Sequence, residues 1–234
     1  KAYNNKMITR FVFGFIIFFL YCFSVSPHTG HYNNIQFIEM EVLRNNKVIG
    51  YNNYYFSKKK NIIEVKNQIK FNVRLFGANI FNVEGYGVEQ YNEDKLISYE
   101  SKTLQNNKKK FVSLYYDADI DKFIIKGSSF RGQTNTASII GNWWNHKLLQ
   151  TDSQISPISG SIKEQLVTFI KKDKIELYGK TYDVDHFKLT SKDMNLPKNK
   201  RLNFDIWFDK KTSLILKVKY SRMGNWEYRL KKYE

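Results

Sequence analysis

Four histidines, a spaced run of aspartates and one Asp-His neighbourhood are the residues of this 234-residue chain whose types could do acid–base or metal chemistry. His28 and His31 follow an apolar N-terminal segment, and His146 and His186 stand alone, without a second ligand at metal-binding spacing. Structural or surface roles suit them better. Asp117-x-Asp119-x-Asp121 has the opening of a calcium loop, but Lys122 stands where such a loop needs Gly and Ser128 where it needs Glu. A hairpin turn with solvated carboxylates is the better reading. Asp183, Asp185 and His186 would suit proton transfer. On a strand, however, the two aspartates face one way and the histidine the other, and no Gly-x-Ser-x-Gly elbow accompanies them. The sole cysteine, Cys22, lies in the apolar N-terminal segment, so the rest of the chain has no thiol for disulfide, nucleophile or metal. No catalytic set, metal site or cofactor is expected.

Aromatic residues offer a different chemistry, that of apolar binding. Trp143 and Trp144 are adjacent, and Trp207 and Trp226 fall in strand-like runs. Such rings line apolar cavities or stack on sugars, although packing in a core is the plainer reading for each. Trp207 differs from the others because it sits on the polar parity of its run. A large ring there implies that the second face is partly covered, by a helix, by another part of the sheet or by a ligand.

The elements that must position these residues are strands. Ile63, Val65, Ile69, Phe71, Val73 and Leu75 share one parity, and Glu64, Lys66, Gln68, Lys70, Asn72 and Arg74 the other. One face is apolar and the other wet, the pattern of an antiparallel sheet. Near the C-terminus Leu202 to Phe208, Leu214 to Tyr220 and Trp226 to Leu230 repeat it, joined by short turns at 209–212 and 222–225, which predicts a three-strand meander. Further turns are expected at 45–47, 92–95, 105–108, 117–121, 171–174 and 191–200, with a polar break over 127–138. Ile139, Ile140, Trp143, Trp144, Leu148 and Leu149 fit a helical stripe instead, with Thr136 or Ser138 as cap. The expected fold is therefore all-β: a large antiparallel curled sheet or half-barrel of about ten strands, with one short helix near 138–149. Aromatics at 16%, with 18 Phe and 16 Tyr, agree with strands.

Residues 11–23, FVFGFIIFFLYCF, form an apolar run behind Lys6 and Arg10. The run is shorter than the roughly 20 residues of a spanning helix and reads as a secretory signal. Ser24 and Ser26 would serve cleavage, though Pro27 makes the bond after Ser26 awkward; an uncleaved anchor is the alternative, and Tyr21 argues against acylation of Cys22. The expected organisation is an extension and signal over 1–26, a flexible leader over 27–34, and one β domain over 35–234. Loss of residues 1–26 would lower the formal charge from +16 by three, to +13. The lysines are scattered over many turns and exposed strand positions, so no nucleic-acid footprint is expected.

Several motifs together resemble a family of secreted bacterial proteins, the domain of unknown function 6134. They are Asn46-Lys47-Val48-Ile49-Gly50, Phe71-Asn72-Val73-Arg74-Leu75-Phe76, Glu89-Gln90-Tyr91 before Asp94-Lys95-Leu96, Ser101-Lys102-Thr103, Trp144-Asn145, Gly160, Phe204-Asp205-Ile206-Trp207-Phe208-Asp209, Gly224 and Tyr228-Arg229-Leu230. The chain departs at Tyr91, where Trp is expected, and at Lys47, where Gly is commoner. The resemblance runs from about Ile35 to the end. It implies an exported protein with a large antiparallel sheet and no established activity. It also marks Glu89, Thr103, Asn145, Asp205 and Asp209 as matching polar positions. The architecture resembles the curled sheets of periplasmic lipoprotein carriers, a likeness of fold that assigns no function.

Three functions follow as expectations. The first is a periplasmic or secreted binding or carrier protein of a Gram-negative-type bacterium. It would be a monomer and touch the membrane only through its N-terminal segment. An apolar or lipid-like ligand would lie on Phe71, Val73, Trp143, Trp144, Phe204, Trp207 and Phe208. The second is an envelope structural or assembly factor, binding a protein or anionic polymer through Lys217, Lys219, Arg229 and Lys231. The third is a hydrolase, which would need Glu89, Asp205 and Asp209 to converge in one cleft. The shape of the interior, cavity or filled core, separates the first from the rest.

Overall fold

Fifteen strands make one continuous sheet in a computed structural model, which describes Tyr32 and residues 34–234. The apolar N-terminal segment expected to be a signal, Cys22, His28 and His31 lie outside the described residues. The first half of the chain is a meander: β1 (Phe37–Arg44), β2 (Lys47–Lys59), β3 (Ile62–Leu75), β4 (Ala78–Asn92), β5 (Lys95–Gln105), β6 (Lys108–Asp117), β7 (Lys122–Gly127) and β8 (Arg131–Asn135). The second half starts at the other margin with β9 (Ile139–Ile140) and β10 (Ser153–Ile155). It returns through β11 (Ile162–Leu177), β12 (Lys180–Ser191), β13 (Asn203–Asp209), β14 (Leu214–Ser221) and β15 (Asn225–Tyr233). The strand order is 8-7-6-5-4-3-2-1-15-14-13-12-11-10-9, so the first and last strands pair at its centre. Every ladder is antiparallel except the short one between β9 and β10.

The alternation read from the sequence is the inner face. Val65, Phe71 and Val73 of β3 are buried, and across the ladders they meet Glu89, Val83 and Phe81 on β4. The C-terminal meander is β13–β15 as expected. Two turns take their shape from Asn pairs: Asn45 and Asn46, and Asn106 and Asn107, all have positive φ between 47° and 64°, which asparagine tolerates and a two-residue hairpin demands.

Three expectations are corrected. The strands number fifteen rather than about ten. Several of the extra ones, such as Arg131-Gly132-Gln133-Thr134-Asn135, lie near a margin and carry no apolar alternation to betray them. Residues 171–174 are not a turn: β11 continues to Leu177 through a bulge between Phe169 and Lys171, and the reversal comes at Tyr178-Gly179. The helix near 138–149 is absent. That stretch is β9, a turn, and a single 3-10 turn over His146–Leu149 capped by Asn145, whose side chain accepts from the Lys147 N–H. A helical stripe leaves one face for water, but Ile140, Asn142, Trp143, Trp144, Asn145, His146 and Leu148 are all buried. The segment is surrounded because residues 141–152 and 156–161, on either side of the marginal strand β10, cross the inside of the curl, where Glu89, Tyr54 and Tyr99 meet them.

The sheet does not close by a ladder, since β8 and β9 are its two edges. Loops join the margins instead. The Ser138 N–H reaches Asn135 O at 3.3 Å, and the Ser129 N–H reaches Ser159 O at 3.0 Å.

Candidate functional site

Glu89 is the polar centre of the interior. It projects from β4 to the inside, is 1% exposed, and accepts three hydrogen bonds. The donors are Tyr91 Oη at 2.5 Å, Asn142 Nδ2 at 2.6 Å and Trp144 Nε1 at 2.9 Å. None of these donors is a cation. Burial therefore dominates and raises the Glu89 pKa above the usual carboxylate range, with the three donors opposing it. Two of the three donors belong to the crossing segment, so Glu89 fastens that segment to the sheet.

Other inward polar groups act on the same segment. Tyr54 Oη accepts from the Trp143 N–H at 3.1 Å and from Asn52 Nδ2 at 2.8 Å, and Asn67 Nδ2 donates to Asn52 Oδ1 at 2.7 Å. Tyr32 Oη donates to Trp144 O at 2.8 Å and lies 2.7 Å from His146 Nδ1. Tyr99 Oη and Ser101 Oγ both donate to Pro157 O, at 3.0 and 2.8 Å. Gln165 Nε2 bonds Leu148 O and Thr151 O. A buried irregular segment needs partners for its backbone, and these side chains supply them.

Beside this anchored segment a cavity of about 280 Å³ remains. One wall, from β2–β5, sets Asn52, Asn67, Gly85, Ser101 and Thr103 among Tyr54, Ile69, Tyr86 and Tyr99. The other is Trp143 with Phe204, Tyr220 and Tyr228. Trp143 sits edge-on to Phe204, with ring centres 5.1 Å apart, and Phe204 to Tyr220 at 5.3 Å. Gly85 keeps the polar wall low, since a Cβ there would stand 2.9 Å from Thr103 Oγ1. The arrangement concentrates amide and hydroxyl groups on the β2–β5 side and aromatic faces on the other, with Gln154, Lys163 and Arg222 also in the lining.

The residues expected from sequence are divided among several places. Trp143, Phe204 and Thr103 line the cavity. Trp144 is packed edge-on by Tyr32, Phe56 and Tyr91. Phe71 and Val73 are buried nearer the β3–β4 turn, with Phe71 against Trp226 at 5.5 Å, and Phe208 packs on His146. Trp207 is on the outer face. It stacks on His186 at 4.5 Å and donates from Nε1 to Asp173 Oδ2 at 3.1 Å, with Lys217 Nζ over its ring. Its cover is the far end of the β11–β12 hairpin, an arm that also reaches β1 through Tyr178 and Glu41.

Glu89, Asp205 and Asp209 do not share a cleft. Asp205 is on the outer face, 2.9 Å from His186 Nε2 and 2.7 Å from Lys188 Nζ. Burial works against its charge, but those two partners outweigh it and hold its pKa below the usual range. Asp209 caps the β13–β14 turn through the Lys211 N–H and Thr212 Oγ1. In the Asp117–Asp121 turn, Asp117 accepts from the Asp119 N–H and Asp121 from Tyr116 Oη. Among the described residues no group of three or more His, Cys, Asp or Glu is arranged to hold a metal ion. Of the C-terminal basic strip, Lys219, Arg229 and Lys231 are paired with Glu227, Glu41 and Glu39.

Sequence reasoning passed over Asn52, Tyr54, Asn67 and Asn142. A signal existed for Asn67, which interrupts the apolar parity of β3 between Val65 and Ile69. A polar residue on a buried face requires a partner, and here it has one.

The class of protein is thus an all-β, barrel-like curl with a segment threaded through it. The same fold is seen in a crystal structure described as a beta-barrel-like protein of domain of unknown function DUF1849 from Brucella abortus. The likeness has a TM-score of 0.58 at 9% identity and covers 86% of this chain and 97% of that one. Residues 40–231 match the domain of unknown function DUF6134, and the chain belongs to that family. No similar protein is found among curated proteins.

Proposed function

We propose that this chain is an exported binding or carrier protein whose interior cavity takes a small amphipathic ligand, or one end of a larger lipid-like one. Asn52, Asn67 and Thr103 would meet the polar part, and Trp143, Phe204 and Tyr220 the apolar part. The observation that carries the reading is the two-sided cavity itself. A filled interior would serve a purely structural role equally well, and a volume of about 280 Å³ lies just below the range of small-molecule sites, which starts at roughly 300 Å³. The apolar segment at residues 11–23 supports export.

The test is native mass spectrometry of protein recovered from a periplasmic extract, with organic extraction of what it carries. A stoichiometric small molecule is expected. It should be absent from Gly85→Leu, whose side chain would fill the space beside Thr103. Recovery of protein with no bound molecule, together with unchanged Trp fluorescence across a panel of lipids and saccharides, would refute the reading.

A further inference from the structure

The topology gathers at one rim what the sequence scatters. Turns β1–β2, β3–β4, β5–β6, β12–β13 and β14–β15 all fall at the same end of the curl, as the registers Arg44↔Trp226, Leu43↔Val48, Gly50↔Phe71, Val83↔Gln105, Ser221↔Asn225, Asp205↔Lys219 and Thr190↔Asn203 require. Direct bonds tie these turns to the neighbouring hairpins. The Asn82 N–H donates to Asn106 Oδ1 at 2.8 Å, and the Asn225 N–H to Asn45 Oδ1 at 2.9 Å.

These turns and the strand ends beside them carry Arg44, Lys47, Arg74, Lys108, Lys109, Lys110, Lys192, Lys198, Lys200, Arg201 and Arg222, against Asp193 in the turns and, as deep as Lys110, Asp205 and Glu227, which are paired with Lys188 and Lys219. None of these basic side chains takes part in an ion pair among the described residues. The turns at the opposite rim are mixed, with Glu93, Asp94, Asp117, Asp119, Asp121 and Asp209 among the lysines.

The basic rim also carries large apolar side chains in water. Phe76, at the tip of the β3–β4 hairpin, is 100% exposed and Met223 is 85% exposed, with Val48, Leu75, Ile80 and Met194 exposed as well. Apolar tips set within a ring of lysines and arginines fit a lipid surface. The charges meet anionic headgroups, while the rings and aliphatic chains enter the interface. A soluble anionic polymer would account for the charge but not for Phe76.

We propose that this rim docks the protein on an anionic phospholipid bilayer, with the β3–β4 tip inserted. Leu202 and Arg222 belong both to this rim and to the cavity wall, so docking would bring the cavity mouth to the membrane. The inference does not depend on what the cavity holds.

The test places an environment-sensitive fluorophore at Ile80→Cys, beside the tip, or at Asp119→Cys, on the opposite rim. Both are made in a Cys22→Ser background of the full chain. The two sites share whatever the N-terminal apolar segment contributes, so only their difference reports the rim. With vesicles of phosphatidylglycerol, Ile80→Cys is expected to shift to the blue and Asp119→Cys is not. The shift should be lost at high salt, with zwitterionic phosphatidylcholine, and in Phe76→Ser. Changing Lys108, Lys109 and Lys110 to Gln should weaken partitioning on the order of 100-fold, at roughly a factor of five or more per basic residue. No shift at Ile80, an equal shift at both sites, or tight binding to heparin with no response to vesicles would each overturn the proposal.

Discussion

Replacement of Glu89 separates the charge of the interior anchor from its hydrogen bonds. In Glu89→Ala the donors on Tyr91, Asn142 and Trp144 lose their acceptor inside a dry core. Each stranded donor costs about 1–3 kcal/mol. The Tyr91 hydroxyl can turn elsewhere, so the two remaining donors set a total of about 2–6 kcal/mol. For a domain of this size each kcal/mol lowers the Tm by roughly 2–4 °C. Glu89→Gln keeps the two donors on Oε1, from Asn142 and Trp144, and its amide can donate to Tyr91 Oη. The change at neutral pH should stay within about 1 kcal/mol, because a buried charge is removed as well. The two variants also differ with pH. The folded-state pKa of Glu89 is raised above the ordinary 4.5 by burial. The folded protein therefore binds the proton more tightly than the unfolded chain does. That contribution is fully present below pH 4.5 and is lost as pH rises through the folded pKa. Wild type should thus lose stability relative to Glu89→Gln as pH rises from about 4.5. Urea unfolding followed by Trp fluorescence across pH 4–8 measures both effects. Equal destabilisation of the Gln and Ala variants, with a difference from wild type that does not vary with pH, would refute the reasoning. It would mean that the interior requires the negative charge itself.

Three further variants test the frame around that anchor. A Cβ on Gly50 would lie 2.0 Å from Lys70 O and 2.5 Å from Phe71 Cα. Gly50→Ala should therefore exceed the roughly 1–3 kcal/mol of ordinary overpacking and yield little soluble protein. Gly77→Ala, which meets nothing within 4 Å at a φ of +83°, should cost only the roughly 1–2 kcal/mol of left-handed backbone, as read by urea unfolding. Trp207→Ala removes the stack on His186 and the bond to Asp173. Hydrogen exchange over residues 171–184 should quicken by about tenfold, the equivalent of ~1.4 kcal/mol of local opening, with β2–β4 unchanged.

The sheet was legible in the sequence because strand side chains alternate strictly and one face is dry. Ile63 to Leu75 and the three C-terminal strands carried that pattern, and they are strands in the structure. Trp207 was legible as a covered position, although nothing local said that the cover would be the β11–β12 arm. The crossing segment was misread for a physical reason. Ile139, Ile140, Trp143, Trp144, Leu148 and Leu149 mimic a helical stripe, but periodicity reports burial on one side, and this segment is buried on all sides. Its backbone is satisfied by distant side chains, Tyr54, Tyr32 and Gln165, which no local window contains. The basic rim was equally hidden. Lys47, Lys108 and Lys200 are far apart in sequence, and only the hairpin registers bring their turns to one end.

The anchor and the cavity share residues, and this constrains how the interior can work. Asn142 bonds Glu89 and lines the cavity. Trp143 lines it while its N–H is held by Tyr54. A shift of the segment that carries Asn142, Trp143 and Pro157 would enlarge the cavity, and it strains the bonds to Glu89 and Tyr54 and those from Tyr99 and Ser101 to Pro157 O. The sheet itself can follow such a shift, because its edges β8 and β9 meet through loops rather than a ladder. Under the proposed function, loosening the anchor and loading the cavity are therefore coupled. Glu89→Ala should alter ligand retention as well as stability, whereas Gly85→Leu should abolish retention and leave the pH dependence set by Glu89 in place. Loss of retention in Gly85→Leu with that pH dependence also abolished would place both effects in a general collapse of the interior and break the coupling argument.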